Sequence, residues 1–294
     1  MSEFAGHLRL RAETHEDGKT VIVRQSFRAP FHVGKSYWDE DGQTLRVQVV
    51  NPTAGILEGD RLETDVGVGT NAALLVTTPS ASRVFHMRAG EAVASQRFAV
   101  ERGGWLEFLP EPLVPHQASR YRQVTEIEVA EGGELAFADL LMPGRLARGE
   151  AWAWSRLKLE LSVRVGGELI LRERLDQSGE ELSTLAALAR VGGERKGEEG
   201  RANGENETTG NACCFGNIVL VSRALTDDGA WREKIEALHG PRAWIGVSAL
   251  RGNRGGWSLK IIAGDGAELR RVMTAAREIL AEKLPRMQTS LRRV

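Results

Sequence analysis

The feature that most constrains the fold is a series of short segments in which apolar and polar residues alternate. The segment Leu157–Val165, for example, reads Leu-Lys-Leu-Glu-Leu-Ser-Val-Arg-Val. A period of two is typical of a strand that turns one face towards a core. The predicted strands are Thr20–Arg24, Leu45–Val50, Ala72–Thr78, Ala92–Val100, Gln123–Val129, Glu134–Met142, Leu157–Val165, Glu168–Arg174, Phe215–Arg223, Ala243–Leu250 and Trp257–Ala263. Turn signals at Asp41-Gly42, Gly103-Gly104, Gly132-Gly133 and Gly166-Gly167 predict antiparallel hairpins between them.

Three segments are predicted to be helices. Glu180–Arg190 carries leucines at helical spacing, and Gly229–His239 is followed by the helix stop Gly240-Pro241. A C-terminal helix begins at Asp265, because Asp265 and Glu268 have the spacing of a capping box. Its apolar stripe comprises Leu269, Val272, Met273, Ala276, Ile279 and Leu280. The sequence thus predicts a mainly β protein with a few helices. It contains no convincing repeat of about 20 to 50 residues, so a solenoid built from sequence repeats is not indicated.

The chain is predicted to form a single domain. It has 294 residues, 41% of them hydrophobic, which is enough for a substantial core, and no linker divides it into halves. One segment interrupts the pattern at about residues 192–210, where no large apolar residue occurs. Such a segment cannot offset its own ordering entropy, so we expect a disordered insertion whose removal leaves folding unchanged.

Charge and leader analysis exclude several classes of protein. With 39 basic and 40 acidic residues the net charge is -1, which argues against binding nucleic acid or an anionic membrane through bulk charge. The first residues lack a signal-peptide layout and no window is apolar enough to span a membrane, so we expect a cytoplasmic protein. Cys213 and Cys214 are adjacent and therefore poor disulfide partners; we expect reduced thiols.

A glycine-rich loop from Asn51 to Leu62 has the features of a loop that builds a site. Gly55 and Gly59 permit backbone conformations that other residues resist. Glu58 and Asp60 are two residues apart and would face the same side of an extended chain. A turn with solvated acids is the alternative interpretation of the same segment.

Known cofactor motifs are absent from the sequence. There is no phosphate-binding loop, no dinucleotide fingerprint and no His-Glu-x-x-His, and the six histidines never have the spacing of metal ligands. No permanently bound cofactor is therefore expected. Asp139 stands out because it interrupts the apolar run Leu135–Met142, so it must pair, for example with Arg145 or Arg148, or face water. An ion pair that fixes the sheet and a functional group are both open interpretations.

Three further motifs occur in order after the first loop: Thr77–Met87, Leu106–Pro115 and Leu141–Glu150. Together these four segments resemble the urease accessory protein family UreD, called UreH in some systems. The resemblance runs from about Lys19 to Leu284–Met287. It departs from the family at two positions: His116 stands where the family often has phenylalanine or aspartate, and Arg83 where lysine is frequent.

The resemblance implies a non-catalytic protein that binds apo-urease and the accessory proteins UreF and UreG, the latter a GTPase that delivers nickel. It implies a largely β fold with an extended, helix-like arrangement of strands, and nickel(II) as a transient cargo on an internal route. By motif match, the candidate route residues are Asp60, Glu111, Asp139, Glu150 and Glu173. Charge-balancing candidates are Arg83, Arg145 and Arg148, and Glu58 is a neighbouring carboxylate.

Two other classes of protein remain alternatives at this stage. An all-β module that binds carbohydrate or another ligand would use surface aromatics such as Trp152 and Trp154, which share a face. A hydrolase would use a carboxylate pair such as Glu58 and Asp60. Binding to apo-urease distinguishes the accessory protein from both.

Overall fold

The computed structural model describes residues 5–39, 42–189, 213–225 and 229–287. The strands are β1 Ala5–Thr14, β2 Thr20–Arg28, β3 His32–Val33, β4 Tyr37–Trp38, β5 Leu45–Val50, β6 Arg61–Val68, β7 Ala73–Thr77, β8 Ser82–Val84, β9 Ala92–Val100, β10 Trp105–Leu109, β11 Leu113–Pro115, β12 Arg120–Val129, β13 Glu134–Leu141, β14 Arg156–Val165, β15 Glu168–Gln177, β16 Cys214–Val221, β17 Ala243–Ala249 and β18 Gly256–Ala263. The α-helices are α1 Gly179–Ala189, α2 Ala230–Glu236 and α3 Gly266–Ala281. The predicted mainly β class with a C-terminal helix is confirmed.

The strands form two sheets that face each other. Sheet I has the order β15-β14-β12-β9-β6-β1-β2, and sheet II has the order β17-β18-β16-β13-β10-β7-β5-β3 with three short strands attached. From β5 to β14 the chain passes repeatedly from one sheet to the other, and neighbouring long strands in this part are parallel. This solenoid-like winding is the helix-like arrangement that the resemblance implied.

The predicted hairpins are only partly confirmed. Gly166-Gly167 does join the antiparallel strands β14 and β15. Gly103-Gly104 and Gly132-Gly133 instead lead the chain from sheet I to sheet II, so the hairpin prediction is wrong there. A turn signal fixes the local backbone, here φ of +70° at Gly103 and +79° at Gly132, but it does not choose the next strand's partner. The two turns stack, since the Gly103 N–H donates to the Gly132 carbonyl at 2.9 Å.

The apolar core of the molecule consists of three main clusters in two layers. Between the sheets lies a large cluster around Phe98, Phe108 and Phe137, together with a smaller cluster around Tyr121 and Leu157. We call these the large and small interior clusters. The outer face of sheet II packs against α2 and α3 through a third cluster, which includes the predicted helix residues Leu269, Val272, Met273, Ala276 and Leu280.

The helix ends and the cysteines agree with the sequence predictions. Asp265 caps α3, because its Oδ1 accepts the Glu268 N–H at 2.8 Å. Cys213 and Cys214 are buried free thiols, and burial raises the pKa of Cys214 to about 12. The predicted insertion at 192–210 lies outside the described residues. Across the ranges that the structure covers, no helix is both long and apolar enough to cross a membrane.

Candidate functional site

A band of polar side chains crosses the space between the two sheets. On β13, Asp139 comes between Phe137 of the large interior cluster and Leu141 of the small one, on the same face of the strand. Glu173 on β15 and Asn217 on β16 lie between the same two clusters. Strand periodicity therefore aligns polar positions from both sheets at one level. We define the polar band as Thr64, Gln96, Tyr121, Gln123, Thr125, Asp139, Glu173, Asn217 and Lys260.

Four of these residues form a charged group that we call the carboxylate cluster. Asp139, Asn217 and Lys260 stand side by side on β13, β16 and β18. Glu173 Oε2, from sheet I, accepts hydrogen bonds from Lys260 Nζ at 2.5 Å and from Asn217 Nδ2 at 3.2 Å. Asn217 Oδ1 is buried and has no hydrogen-bond partner within the described ranges. The cluster thus presents two carboxylates and one unpartnered amide oxygen to the interior.

Asp139 has the most perturbed carboxyl group of the cluster. Burial raises its pKa to about 6, and the charge of Glu173 acts in the same direction. The charge of Lys260 and the backbone N–H of Leu140 lower the pKa, but desolvation is the larger effect. The Asp139 residue is half-buried, so its surface is partly open, and many protein atoms nevertheless surround the carboxyl group. Ionisation of Asp139 in this position therefore costs desolvation free energy, and a bound cation would reduce that cost.

The polar band continues from Asp139 along the inner face of sheet I. The Tyr121 hydroxyl donates to Gln123 Oε1 at 3.0 Å, and Gln123 Nε2 donates to Thr125 Oγ1 at 3.3 Å. Thr125 Oγ1 in turn donates to Gln96 Oε1 on β9 at 3.0 Å. Burial raises the pKa of Tyr121, and the nearby charge of Asp139 adds to the shift. The hydroxyl is neutral at physiological pH and can only serve as a neutral oxygen.

The predicted pairing of Asp139 with Arg145 or Arg148 is wrong. Arg145 forms a two-pronged pair with Glu150, in which Nε lies 2.8 Å from Oε2 and Nη2 lies 2.5 Å from Oε1. Arg148 is exposed on the short helical turn that follows β13. This turn carries both arginines away from the strand, whereas the strand alternation directs Asp139 into the band.

Asp60 braces its own loop, whereas Glu58 joins that loop to the segment 88–90. Asp60 Oδ2 accepts the Leu57 N–H at 2.8 Å, and burial raises the pKa of Asp60. Glu58 accepts the N–H groups of Arg88 at 2.7 Å and Gly90 at 2.8 Å, and these bonds lower its pKa. Each carboxylate is held by backbone donors, which does not support the acid–base pair that a hydrolase would need.

Glu111 lies at a different place, on the rim of a cavity between sheet II and α3. The cavity has a volume of about 670 Å³, and Glu111 Oε2 lies 3.1 Å from Arg270 Nη2 of α3. Deeper in the same cavity wall, Glu107 and Arg277 form a buried pair at 2.7 Å. Glu111 is therefore separate from the carboxylate cluster.

His116 and the arginines around it form another separate region. Burial lowers the pKa of His116, and the charges of Arg145, Arg83 and Arg148 contribute to the lowering. Its two ring nitrogens are buried and have no hydrogen-bond partner in the part of the chain that the structure describes. His116 is thus a neutral core histidine whose ring contacts Phe85 edge to face at 4.8 Å.

The two tryptophans considered for ligand binding do not form an open platform. Trp154 is only 3% exposed and belongs to the small interior cluster. The Trp152 ring packs against Trp154 at 5.4 Å and against Phe215 at 5.9 Å. Both rings contribute to packing, so the carbohydrate-binding interpretation gains no support here.

The donor set of the carboxylate cluster is smaller than that of a closed metal site. Within the described ranges, no group of three or more His, Cys, Asp or Glu side chains is placed to hold a metal. Two carboxylates and one amide oxygen are fewer protein ligands than a tight site for a hard or borderline divalent ion provides.

Sequence reasoning found Asp139 and Glu173 but missed Asn217 and Lys260. The sequence contained a signal for Asn217. This residue shares a period of two with Phe215 and Val219 in an otherwise apolar strand. That alternation places Asn217 on the interior face. The alternation does not reveal which strands pair. The pairing of β13, β16 and β18 sets the three polar residues side by side.

Comparison with known proteins places this chain among the urease accessory proteins. The sequence model of a family described as "UreD urease accessory protein" matches residues 5–294. The chain therefore belongs to the UreD family.

Curated relatives agree with this assignment. The urease accessory protein UreD of Opitutus terrae is 53% identical over 292 residues, which cover 99% of this chain and 100% of the relative. The UreD proteins of Yersinia enterocolitica and Yersinia pseudotuberculosis are each 41% identical over 143 residues, covering 48% of this chain and 44% of the relative.

Proposed function

We propose that this protein binds apo-urease together with UreF and the GTPase UreG, and assists delivery of nickel(II) to the urease active site. Family membership supports a role in urease maturation. The observation that supports nickel handling is the carboxylate cluster, with Asp139, Glu173 and the unpartnered Asn217 oxygen between two apolar clusters. Nickel is the cargo in this proposal and not a resident cofactor. The work of the protein is non-catalytic and takes place in the cytoplasm.

The cluster reaches solvent at the lateral edge of the two sheets. Glu173 lies on β15, the edge strand of sheet I, and its side chain is 28% exposed. Lys260, on the penultimate strand of sheet II, has a side chain that is 49% exposed. A hydrated divalent ion can therefore meet Glu173 first and Asp139 next, and the oxygens along β12 continue inward from there.

Weak coordination is what a delivery route requires. Passage of an ion needs binding that is favourable enough to admit it and weak enough to release it. Oxygen ligands in small number meet this requirement better than the four nitrogen or sulfur donors of a closed structural site. We therefore limit the proposed route to Asp139 and Glu173, while Asp60, Glu111 and Glu150 stay predictions from the resemblance.

Genetic deletion tests the function as a whole. In a urease-positive cell that lacks this protein, urease should be synthesised but contain little nickel and show little activity. The measurements are the nickel content and the activity of purified urease. Normal nickel content in the deletion strain would contradict the proposal.

Complementation of that strain tests the route. Asp139→Asn and Glu173→Gln should each lower the nickel per urease while UreF and urease still co-purify with the variant. Glu63→Gln is a matched control, because Glu63 lies on the exposed face of β6. Full nickel loading by both cluster variants would remove the carboxylate cluster from the route.

A further inference from the structure

Lys260 occupies the position where a metal ion would meet Glu173. Its ammonium nitrogen lies 2.5 Å from Glu173 Oε2, and Asn217 Nδ2 donates to the same oxygen at 3.2 Å. Lys260 lies on the interior face of sheet II, opposite to Leu259 and Ile261, which pack against the helices. The lysine is thus part of the cluster and stands at its open side.

The charges of the cluster show why this lysine matters for a divalent ion. When Asp139 and Glu173 are both ionised, the positive charge of the Lys260 ammonium group offsets one of the two negative charges, and the cluster keeps a single net negative charge. A divalent cation that bound while the ammonium stayed in contact with Glu173 would meet a like charge a few ångströms away. Repulsion between like charges at such a distance is large where solvent screening is incomplete. Binding therefore requires the flexible lysine to swing away from Glu173.

We propose that Lys260 is a tethered cation that a divalent metal ion displaces from Glu173, which keeps metal binding by the carboxylate cluster weak and reversible. The inference rests on the proposed route and adds a residue that sets how readily the ion is released. Its stem is long and its side chain is half exposed, so the ammonium group can move into solvent when the ion arrives. It returns to Glu173 when the ion leaves.

The test uses the full-length protein and Ni²⁺ alone as the probe. Equilibrium dialysis measures Ni²⁺ retention by each variant, and a chase with apo-urease measures the rate of nickel transfer. Lys260→Met and Lys260→Gln should bind Ni²⁺ on the order of tenfold more tightly, because the competing charge is gone, and should release it more slowly. Lys260→Arg keeps the charge and should release nickel nearly as fast as the unchanged protein.

A matched control comes from an ion pair of the same length elsewhere. Lys234 Nζ lies 2.5 Å from Glu282 Oε2 and its side chain is also 49% exposed, but this pair joins α2 to the end of α3. Lys234→Met should leave nickel retention unchanged. The double variant Lys260→Met with Asp139→Asn should lose the gain, since the extra binding needs the cluster's carboxylates.

The outcomes separate this inference from the route itself. Equal retention by Lys260→Met, Lys260→Gln and Lys234→Met would overturn the role of Lys260 even if Asp139→Asn slows transfer. A gain that persists in the double variant would also overturn it, because the tighter site would then lie outside the cluster. Normal transfer by both Asp139→Asn and Glu173→Gln would overturn the route, and the role of Lys260 with it.

Discussion

At the scale of single residues, Asp139 shows how strand position decides the role of a charged group. Its neighbours along the chain are apolar, so the sequence marked it as unusual. Its partners come from strands that are distant in sequence, because Glu173 is on β15 and Lys260 on β18. No local pattern could identify them, and the nearby arginines were a plausible but wrong choice. Glu173 was found only through the resemblance, since no sharp motif surrounds it.

Replacing Asp139 by asparagine should raise the free energy of unfolding at pH 7.5 by about 1 to 3 kcal/mol. Burial holds the pKa of the folded carboxyl near 6, above its ordinary value of 3.8, so the folded protein binds this proton more tightly than the unfolded chain. Stability from this group is therefore present at low pH and is lost as the pH rises from about 4 to 6. The asparagine variant should lack this dependence of stability on pH.

Urea unfolding at pH 5 and pH 7.5 measures this effect. The difference in free energy of unfolding between the asparagine variant and the unchanged protein should be smaller at pH 5, where the folded Asp139 carboxyl is largely protonated. Asp65→Asn, on the exposed face of β6, should show neither the gain nor the pH dependence. Destabilisation by Asp139→Asn at both pH values would mean that the ionised carboxylate is held by a strong partner.

At the scale of elements, α3 is tied to sheet II by a buried ion pair as well as by its apolar stripe. Glu107 on β10 is 3% exposed and Arg277 is 13% exposed at the side chain. The pair is bidentate, with Nε at 2.7 Å from Oε1 and Nη2 at 3.0 Å from Oε2. This geometry fixes the rotation of the helix on the sheet at one end of the cavity.

Removing Arg277 should destabilise the protein strongly. Arg277→Met leaves the Glu107 carboxylate buried without its partner, which should lower the free energy of unfolding by about 3 to 5 kcal/mol. Arg270→Met is the matched control on the same helix, because Arg270 is 61% exposed and pairs with the rim residue Glu111. An exposed pair contributes at most about 1 kcal/mol. Urea unfolding of both variants provides the measurement, and similar losses would contradict the burial argument.

The strands themselves were predictable where the alternation of apolar and polar residues is long. Segments such as Leu157–Val165 lie almost unchanged in the structure as β14. Seven of the strands in the described residues were missed: the longer strands β1, β6 and β10, and the strands of two or three residues β3, β4, β8 and β11. Parallel and antiparallel pairing produce the same alternation, so the sequence could not show that the glycine turns exchange the chain between sheets.

At the scale of the whole molecule, the two sheets and the helices share cores. The large interior cluster contains residues from both sheets, and sheet II also forms the floor of the helix layer. That the chain forms a single domain stays a prediction from the sequence.

We expect the full chain to unfold in one cooperative transition. Trp154 reports on the small interior cluster, whereas Trp231 and Trp257 report on the helix layer. Because the layers depend on one another, tryptophan fluorescence and far-ultraviolet circular dichroism should change together in urea. Two separate transitions would show that the helix layer is an independent unit.

The winding of strands between the two sheets also has a consequence for how the chain folds. In the middle of sheet I, each strand pairs with one that lies about thirty residues further along, as β6 does with β9 and β9 with β12. The chain between two such strands must close into a long loop before they can pair. The conformational entropy of that loop is lost before the contacts between the strands compensate for it. The hairpins β1–β2 and β14–β15, at the two edges of the sheet, need only short loops. Folding is therefore expected to be slow, with the edges of sheet I forming before its middle.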